Sequence, residues 1–338
     1  MADPTPRTAT RDELSPAPPS PIIEVGDETD SAYGDDSDST AYSASVTSSV
    51  LDYKYENGRR YSSYRKYLLP NDETEQDRLD MFHHIFLLLL NGKLLRAPIP
   101  KDPQRVLDLG TGTGMWALDF ADEYPSTQVL GVDISPIQPR WVSPNLKFYV
   151  DDVEMDWAYP AADAFDVIHM RHLGGSIGDW NKLLSQCYQN LKPGAWLEIQ
   201  EPAAWFSSDD DTLSRTPASI QYQTLCNEAA KTYGKEINMA DKLKQLVIDA
   251  GFVDVHEEIH KVPMGPWAKD PKLKEIGRFF LEQSTLGIDA YVLGFIGQLL
   301  NWSKTECEVL SAKVKAELRS PKNHIYINTH FITARRPN

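Results

Sequence analysis

The sequence has little cysteine and no long hydrophobic run. Its three cysteines, Cys187, Cys226 and Cys307, are scattered and lack the spacing of metal ligands. We therefore expect reduced cysteines, no metal site and a cytoplasmic or nuclear location. The longest apolar run, residues 85–90, is far shorter than the roughly 20 residues that cross a bilayer. No basic segment followed by an apolar one opens the sequence, so we expect no secretory signal and no membrane insertion.

Positive charge is also scarce. There are 34 lysines and arginines against 49 aspartates and glutamates, which gives a net charge of -15. Because no basic cluster marks a groove for a phosphate backbone, we expect no direct nucleic-acid binding. Residues 1–50 hold ten acidic and two basic residues among Pro, Ser and Thr. This composition predicts a disordered tail, which is either solubilising or a phosphorylatable, partner-binding arm.

From residue 104 the sequence alternates between strand and helix patterns. Strands are predicted at 105–109, 128–133, 146–150, 165–169 and 196–201, with helices at 114–123 and 181–191. Later helices are predicted at 218–233, 241–250, 272–284 and 303–318, and two late strands at 253–262 and 324–334. Parallel strands joined by helical crossovers, an α/β fold, are the expected outcome.

A helix of roughly 20 residues is predicted before this region. Asp72 and Glu75 have the spacing of a capping box, and an apolar face follows them. His83 and His84 lie on this helix without a cysteine or carboxylate at ligand spacing. We interpret them as surface or core histidines rather than metal ligands.

A glycine turn follows the first strand of the alternating region. In "DLGTGTG", Asp108 ends the strand and Gly110, Gly112 and Gly114 follow at alternate positions. Glycine permits positive φ angles and lets a ligand approach the backbone closely. A tight strand-to-helix turn alone also explains this pattern.

Two further strand ends make the glycine turn more specific. Asp133 in "GVDIS" can accept hydrogen bonds from both hydroxyls of a ribose, and Asp152 in "YVDDVEMDW" from an adenine amino group. The carboxyl ends of parallel strands meet at one edge of a sheet, where ligands bind. The three segments therefore predict a nucleoside site.

The spacing favours S-adenosylmethionine over a dinucleotide. Dinucleotide enzymes use G-x-G-x-x-G, whereas Gly114 comes one residue early and Met115 stands at the later position. The acidic Asp108 would repel a pyrophosphate, but it can pair with the ammonium group of the methionine moiety.

These residues resemble the class I methyltransferases and, within them, the fungal LaeA-like family. The family-specific blocks include "YENGRRY", "SPIQPRWVSPN" with "DDVEMDW", "FDVIHMRHLGGSIGDW" and "VPMGPWAKDPKLKEIG", and the similarity runs from about residue 51 to 336. The resemblance implies a Rossmann-like, seven-stranded, mostly parallel sheet with its last strand antiparallel and helices on both faces. It also implies a cofactor site for S-adenosylmethionine. The residues expected to hold the cofactor are Asp108, Gly110, Thr111, Gly112, Gly114, Asp133, Ile134, Asp152, Val153 and Arg60.

The block "YENGRRY" has two interpretations. It folds over the cofactor as a lid, with Arg59 and Arg60 reaching Glu56 or the cofactor carboxylate, or it forms a cluster of surface ion pairs. We divide the chain into a tail at 1–50, an N-terminal helical lid at 51–100 and a cofactor-binding domain at 101–338. A helical, substrate-side insertion follows residue 216.

The catalytic residues are harder to identify, because methyl transfer depends mostly on orientation. His169 and His172 in "HMRHLGGS" are candidate bases, and Arg171 either binds a substrate carboxylate or braces its loop. Glu201 is another candidate at the rim, or it packs its loop. Five tryptophans either fill the core or line an acceptor pocket: Trp141, Trp157, Trp180, Trp205 and Trp267.

The sequence thus predicts an S-adenosylmethionine-dependent methyltransferase of fungal secondary metabolism or of its regulation and development. Its partner is a small-molecule substrate or a regulatory protein, for which velvet-type proteins are one option. The alternative is a regulatory scaffold that binds the cofactor and transfers little or nothing.

Overall fold

The computed structural model describes residues 53–62 and 67–338. The predicted tail at 1–50 lies outside the described residues. Within the described part of the chain, no helix is long and apolar enough to cross a membrane.

The described chain begins with a short antiparallel hairpin and a helix. The hairpin consists of β1 (Lys54–Glu56) and β2 (Arg59–Tyr61), and the helix α1 spans Glu73–Leu89. "YENGRRY" is therefore a β-hairpin that precedes the predicted helix of the N-terminal lid. Asn57 and Gly58 form its turn at φ angles of 53° and 80°, as a tight hairpin requires. The domain boundary at residue 100 stays a prediction.

A seven-stranded sheet forms the centre of the fold. Its strands are β3 (Arg105–Leu109), β4 (Gln128–Asp133), β5 (Leu146–Val150), β6 (Phe165–Arg171), β7 (Leu191–Pro202), β8 (Val253–Pro263) and β9 (Tyr326–Arg335). Their order across the sheet is β5-β4-β3-β6-β7-β9-β8, and β9 is antiparallel to both of its neighbours. The predicted sheet, with its last strand antiparallel, is confirmed.

Helices cover both faces of this sheet. They are α2 (Met115–Glu123), α3 (Trp180–Asn190), α4 (Pro217–Tyr233), α5 (Ala240–Asp249), α6 (Pro271–Tyr291), α7 (Gln298–Leu300) and α8 (Lys304–Leu318). Alternate residues of β3 separate the two cores: Val106 packs with α2, whereas Leu107 and Leu109 pack with α3 and α5. Helices α1, α4, α6 and α8 share a third core with β8 and β9.

Helix α6 is longer than the sequence predicts. The predicted end was residue 284, but the helix runs to Tyr291 and continues as π-helical turns over Val292–Gly297. Gly287 in this extension is buried against α1, where an added Cβ would be in ordinary van der Waals contact with Cδ of Arg78 at 3.4 Å. Packing against α1 therefore outweighs the weak helix propensity of this segment.

The register of the sheet brings several chain segments together at one edge. Leu109 at the end of β3 is paired with Val132 of β4 on one side and with Met170 of β6 on the other. The residues that follow these pairs therefore emerge side by side, as is general for parallel strands.

Candidate functional site

A cavity opens at this edge, where β3, β4 and β6 end. We call it the first cavity. Of the residues predicted from the sequence, its wall contains Gly110, Thr111, Gly112, Asp133, Ile134, Asp152, Val153, Arg171 and His172. The same wall includes the segment 67–71 and two side chains from the end of α6, Tyr291 and Phe295.

The glycine turn has the backbone geometry that the sequence predicts. Gly110 and Gly112 have φ angles of 64° and 58°, which a residue with a Cβ adopts only with strain. A Cβ at Gly110 would overlap the side chain of Leu173, whereas one at Gly112 would meet only Leu79, at 3.7 Å. Gly112 is therefore the position where absence of a side chain leaves the cavity wall open.

Asp133 is the half-buried carboxylate of this cavity. Its Oδ2 accepts a hydrogen bond from the Gly112 N–H at 2.8 Å, and its Oδ1 accepts one from the Ser135 N–H at 2.8 Å. The backbone of Ile134 donates to the same carboxylate, which still leaves it acceptor capacity for a ligand. Burial raises the pKa of Asp133 to about 6, against the lowering effect of these backbone bonds.

Asp152 and Val153 form the neighbouring wall, in the loop after β5. Oδ1 of Asp152 accepts a hydrogen bond from the Glu154 N–H at 3.0 Å. The carbonyl of Val153 accepts one from Nε1 of Trp157 at 3.0 Å. These bonds hold both residues at the cavity wall.

Asp108 lies behind the cavity rather than in its wall. Its Oδ2 accepts a hydrogen bond from Thr111 Oγ1 at 2.6 Å, and its Oδ1 lies 2.7 Å from Nδ1 of His169. The Asp108 side chain is 4% exposed. It supports the glycine turn through its hydrogen bond with Thr111. Its position behind the cavity does not favour the predicted direct contact with the ammonium group of the cofactor.

His169 is packed in the core next to Asp108. Its ring stacks on Trp116 with 3.8 Å between centroids and 5° between planes. Burial lowers the pKa of His169, although the Asp108 carboxylate opposes this shift. The side chain is 1% exposed and absent from the cavity wall, a placement that does not favour the predicted role as a catalytic base.

Two predicted cofactor ligands also lie outside the wall. Arg60 is bound to the start of α1, where it donates to Glu73 Oε1 at 2.8 Å and to Asn71 Oδ1 at 3.3 Å. The second interpretation of "YENGRRY", a cluster of ion pairs, therefore describes Arg60. Gly114 begins α2, where a Cβ would overlap the ring of Phe148. Its role is close packing of the helix on β5.

Arg171 projects from the end of β6 into the cavity wall. Its Nη2 lies 2.9 Å from Nδ1 of His83, and its guanidinium lies over the Phe86 ring at 4.8 Å. Nε2 of His83 lies 2.8 Å from Oδ2 of Asp119 on α2. Burial lowers the pKa of Arg171 to about 10. His83 is thus a core histidine, as expected.

His172 has a left-handed backbone, with a φ angle of 56°. Such a conformation is uncommon outside glycine and is often found at functional sites. Its Nε2 lies 3.3 Å from the hydroxyl of Tyr291. Burial lowers the pKa of His172 to about 3, and the nearby Arg78 and Arg171 charges contribute to this. The imidazole is therefore neutral at physiological pH.

Glu201 holds the loop after His172. Its two carboxylate oxygens accept hydrogen bonds from the Leu173 N–H at 2.9 Å and the Gly174 N–H at 3.1 Å. Burial raises the pKa of Glu201 to about 8. Of its two predicted roles, the packing of the loop is the one that these contacts show.

A second cavity adjoins the first. The two share the wall residues Arg78, Phe82, His172, Gly174 and Tyr291. Most of the remaining wall of the second cavity is apolar: Pro202, Ala203, Ala204, Phe206, Ile237, Met264, Phe280, Ile288 and Ile327. None of the five tryptophans named for an acceptor pocket belongs to this wall.

The charged group shared by both cavities is neutralised within the chain. Arg78 donates to both oxygens of Glu75, at 2.7 and 3.0 Å, and to Oε1 of Gln283 at 2.9 Å. Its side chain is 3% exposed. In the second cavity, Gln223 is likewise engaged, because its Oε1 accepts from the Phe206 N–H at 2.8 Å. The open polar pair at the junction is His172 with Tyr291.

Sequence reasoning missed the residues that come from outside the alternating region. Tyr291 and Phe295 reach the first cavity because π-helical turns follow α6, and their rings stack at 5.6 Å. π-Helical turns are rare in proteins overall, and those that occur are often located at functional sites. The one available signal was the pair Gly294 and Gly297; Gly294 leaves room for the Leu68 carbonyl, which would lie 2.5 Å from an added Cβ.

The first cavity fits the cofactor expected from the sequence. Asp133 places a carboxylate with remaining acceptor capacity at the cavity wall, which suits the hydroxyls of a ribose. The open position at Gly112 allows close approach of a ligand to the backbone. Among the described residues, no group of histidine, cysteine and carboxylate side chains is arranged to hold a metal ion.

Comparisons with known proteins agree with this geometry. Residues 81–257 match the family model described as "Methyltransferase domain". The chain is 38% identical over 305 residues to methyltransferase pytC of Aspergillus terreus, covering 89% of this chain and 93% of that protein. It is 37% identical to the secondary metabolism regulator LAE1 of Cochliobolus heterostrophus, covering 83% and 94%. It is 36% identical to the protein-methionine methyltransferase laeA of Emericella nidulans, covering 83% and 76%. The matched domain includes the glycine turn and the ends of β4 and β6.

Proposed function

This chain belongs to the S-adenosylmethionine-dependent methyltransferases, in the family that includes LaeA and pytC, and we propose that it methylates a compact, mainly apolar small molecule. The observation that carries the proposal is that the two cavities adjoin. They share five lining residues: Arg78, Phe82, His172, Gly174 and Tyr291. Cofactor and acceptor would meet at this junction.

The first cavity would hold the cofactor. Asp133 would accept from the ribose hydroxyls, Asp152 and the Val153 backbone would contact the adenine, and the Gly110–Gly112 turn would contact the methionine portion. When bound, S-adenosylmethionine supplies an electrophilic methyl group on a sulfonium. The chain's contribution is to orient that group towards the second cavity and to exclude water from the junction.

The second cavity would hold the acceptor. Its charged groups are already satisfied: Arg78 by Glu75, and Glu201 by two backbone N–H groups. A charged acceptor would therefore be desolvated without a partner, whereas an uncharged, apolar molecule with one hydroxyl or similar group would not. His172 and Tyr291 lie where that group must point. His172 is neutral and would accept a hydrogen bond from that group, which orients it towards the methyl donor. The proton that the methylated atom releases would pass to water when the product leaves.

A second candidate is regulation of secondary metabolism through protein partners. It is favoured by the similarity to the regulator LAE1, which covers 83% of this chain. In that case the methyl acceptor would be a protein, for which a velvet-type partner is one option. The second cavity would then admit a side chain rather than a free metabolite. Cytoplasmic or nuclear location stays a prediction in either case.

The proposal is tested by binding and transfer measured together. Titration calorimetry with S-adenosylmethionine and NADH should show binding of the first and not of the second. Labelled methyl transfer into the small-molecule fraction of a fungal extract should then be detected. Label found only in protein would favour the second candidate, and binding without any transfer would favour the scaffold alternative.

A matched pair of variants localises the acceptor. Ser284 on α6 lies in the second cavity only, so Ser284→Phe should block transfer while cofactor affinity is unchanged. Ser185 is exposed on α3, and Ser185→Phe serves as the control. Equal transfer by both variants would show that the acceptor binds elsewhere.

A further inference from the structure

Arg171 is a half-buried cation that forms no ion pair with any carboxylate of the described residues. Other arginines of low exposure are paired directly: Arg59 donates to both oxygens of Asp72, and Arg78 to both of Glu75. The carboxylates of Asp108 and Asp119 act on Arg171 only from a distance, and its direct contacts are Nδ1 of His83 and the Phe86 ring. A charge that is partly removed from water without a directly paired opposite charge is costly, so such a group points to an anionic ligand.

The chain also fixes the direction of the guanidinium. Arginine only donates, so Nδ1 of His83 must be the acceptor in their 2.9 Å contact. The proton of His83 therefore lies on Nε2, from which it donates to Asp119 Oδ2 at 2.8 Å. Three residues from α2, α1 and β6 thus form a hydrogen-bonded chain, Asp119–His83–Arg171, that orients the guanidinium of Arg171. Outer-shell carboxylates orient metal-binding histidines in the same way.

The position of Arg171 identifies which end of the cofactor it faces. Met170 is paired with Leu109, so Arg171 follows β6 beside the place where Gly110 follows β3. On the other side of β3, Leu109 is paired with Val132 of β4, and Asp133, the proposed ribose partner, comes directly after Val132. Arg171 therefore lies on the side of the glycine turn opposite to the ribose site.

The charge of the first cavity supports the same conclusion. Three cations line it: Arg78, Lys235 and Arg171. Arg78 is paired with Glu75 at 2.7 Å, and Lys235 with Glu154 at 2.8 Å. Arg171 is the one that the described residues leave available for a ligand. It does not line the second cavity, which argues against an acceptor carboxylate as its partner.

We propose that Arg171, oriented by His83 and Asp119, binds the α-carboxylate of the methionine portion of S-adenosylmethionine. This inference rests on the proposed cofactor cavity. It replaces Arg60, which is bound to Asn71 and Glu73, as the expected partner of that carboxylate. His83 and Asp119 are positioning residues, because neither is proposed to touch the cofactor carboxylate.

Calorimetric titrations with three ligands test the proposal. S-adenosylmethionine carries the carboxylate, decarboxylated S-adenosylmethionine lacks only that group, and 5′-methylthioadenosine lacks the whole amino-acid portion. The wild-type protein should bind the decarboxylated ligand at least tenfold more weakly than S-adenosylmethionine. Arg171→Gln should weaken S-adenosylmethionine binding at least tenfold and leave the affinities of the other two ligands unchanged.

Two further variants separate orientation from charge. His83→Asn should produce a smaller loss with the same ligand selectivity, because the cation remains but is less well oriented. Arg105→Gln is the matched control, since Arg105 lies at the opposite end of β3 and pairs with Asp163. It should leave all three affinities unchanged.

The outcomes distinguish this inference from the function on which it rests. If Arg171→Gln lost affinity for S-adenosylmethionine and 5′-methylthioadenosine equally, Arg171 would only shape the cavity wall. That result would overturn the inference. Unchanged S-adenosylmethionine affinity in that variant would also overturn it, with the cofactor site intact. If the wild-type protein bound none of the three ligands, the proposed cofactor cavity itself would be wrong. A variant that fails to bind 5′-methylthioadenosine is recognised as misfolded. In that case the inference is decided by the wild-type protein, through its relative affinities for S-adenosylmethionine and decarboxylated S-adenosylmethionine.

Discussion

The backbone N–H of Gly112 donates a hydrogen bond to Oδ2 of Asp133, with 2.8 Å between the two atoms. This bond joins the turn after β3 to the end of β4. It places the position without a side chain next to the half-buried carboxylate, and both residues belong to the wall of the first cavity. The first predictions test this wall.

Gly112→Val should abolish cofactor binding while the domain still folds. The φ angle of 58° is strained for a residue with a Cβ, at a cost of roughly 1–2 kcal/mol, and the new side chain would occupy the cavity. Gly92→Val is the matched control, because Gly92 has a φ angle of 78° and open space around it. Calorimetry should show binding by the control alone. Normal affinity in folded Gly112→Val would disprove the site.

Asp133→Ala should weaken S-adenosylmethionine binding tenfold or more. The substitution removes the acceptors for both ribose hydroxyls, and charge-assisted hydrogen bonds contribute about 1.5–3 kcal/mol each. Asp133→Asn should be milder, since its amide oxygen still accepts one bond. If both variants bind like the wild type in calorimetry, the carboxylate serves only Gly112 and Ser135.

Cofactor affinity should also depend on pH through Asp133. The pKa of this carboxyl is raised to about 6, so the group takes up a proton as the pH falls through that value. The ionised form accepts from the ribose, and affinity should therefore fall about tenfold per pH unit below 6 and level off above it. Titrations between pH 5 and 8 measure this, and Asp133→Asn should remove the dependence.

His172→Asn should lower methyl transfer without weakening cofactor binding. Asparagine tolerates the left-handed backbone at this position, but it would misplace the hydrogen bond that orients the acceptor, and misplacement by about 1 Å costs roughly 10²-fold in rate. The pKa of His172 lies at about 3, so its contribution to turnover should not titrate between pH 5 and 8. Tyr291→Phe should have a smaller effect on turnover. Wild-type turnover in His172→Asn would exclude it as the residue that orients the acceptor.

Glu75→Ala should destabilise the protein by about 3–5 kcal/mol, because it leaves Arg78 buried without its counter-ion. The Arg78 and Glu75 side chains are 3% and 2% exposed. The double variant Glu75→Leu with Arg78→Met removes both charges and should be less destabilised than the single variant. Urea denaturation measures both. Equal or greater loss in the double variant would show that packing, rather than charge, dominates here.

Local sequence patterns were sufficient to predict the sheet and the acidic residues at one end of the first cavity. The predicted bounds of β3, β4 and β5 agree with the structure to the residue, because alternating apolar patterns and glycine turns act over a few residues. Asp133 and Asp152 were located by the same means, since any residue that ends a parallel strand lies at one known edge of the sheet.

Which polar side chains line the first cavity could not be predicted, because it depends on tertiary packing. His169 and Arg171 are two residues apart on β6, yet one stacks on Trp116 in the core and the other lines the cavity. The partners of Arg171 lie on α1 and α2, with His83 separated from it by 88 positions and from Asp119 by 36. Contacts over such distances are set by how helices pack on the sheet. No local pattern records that packing, because burial and hydrogen-bond geometry exist only after distant segments have met.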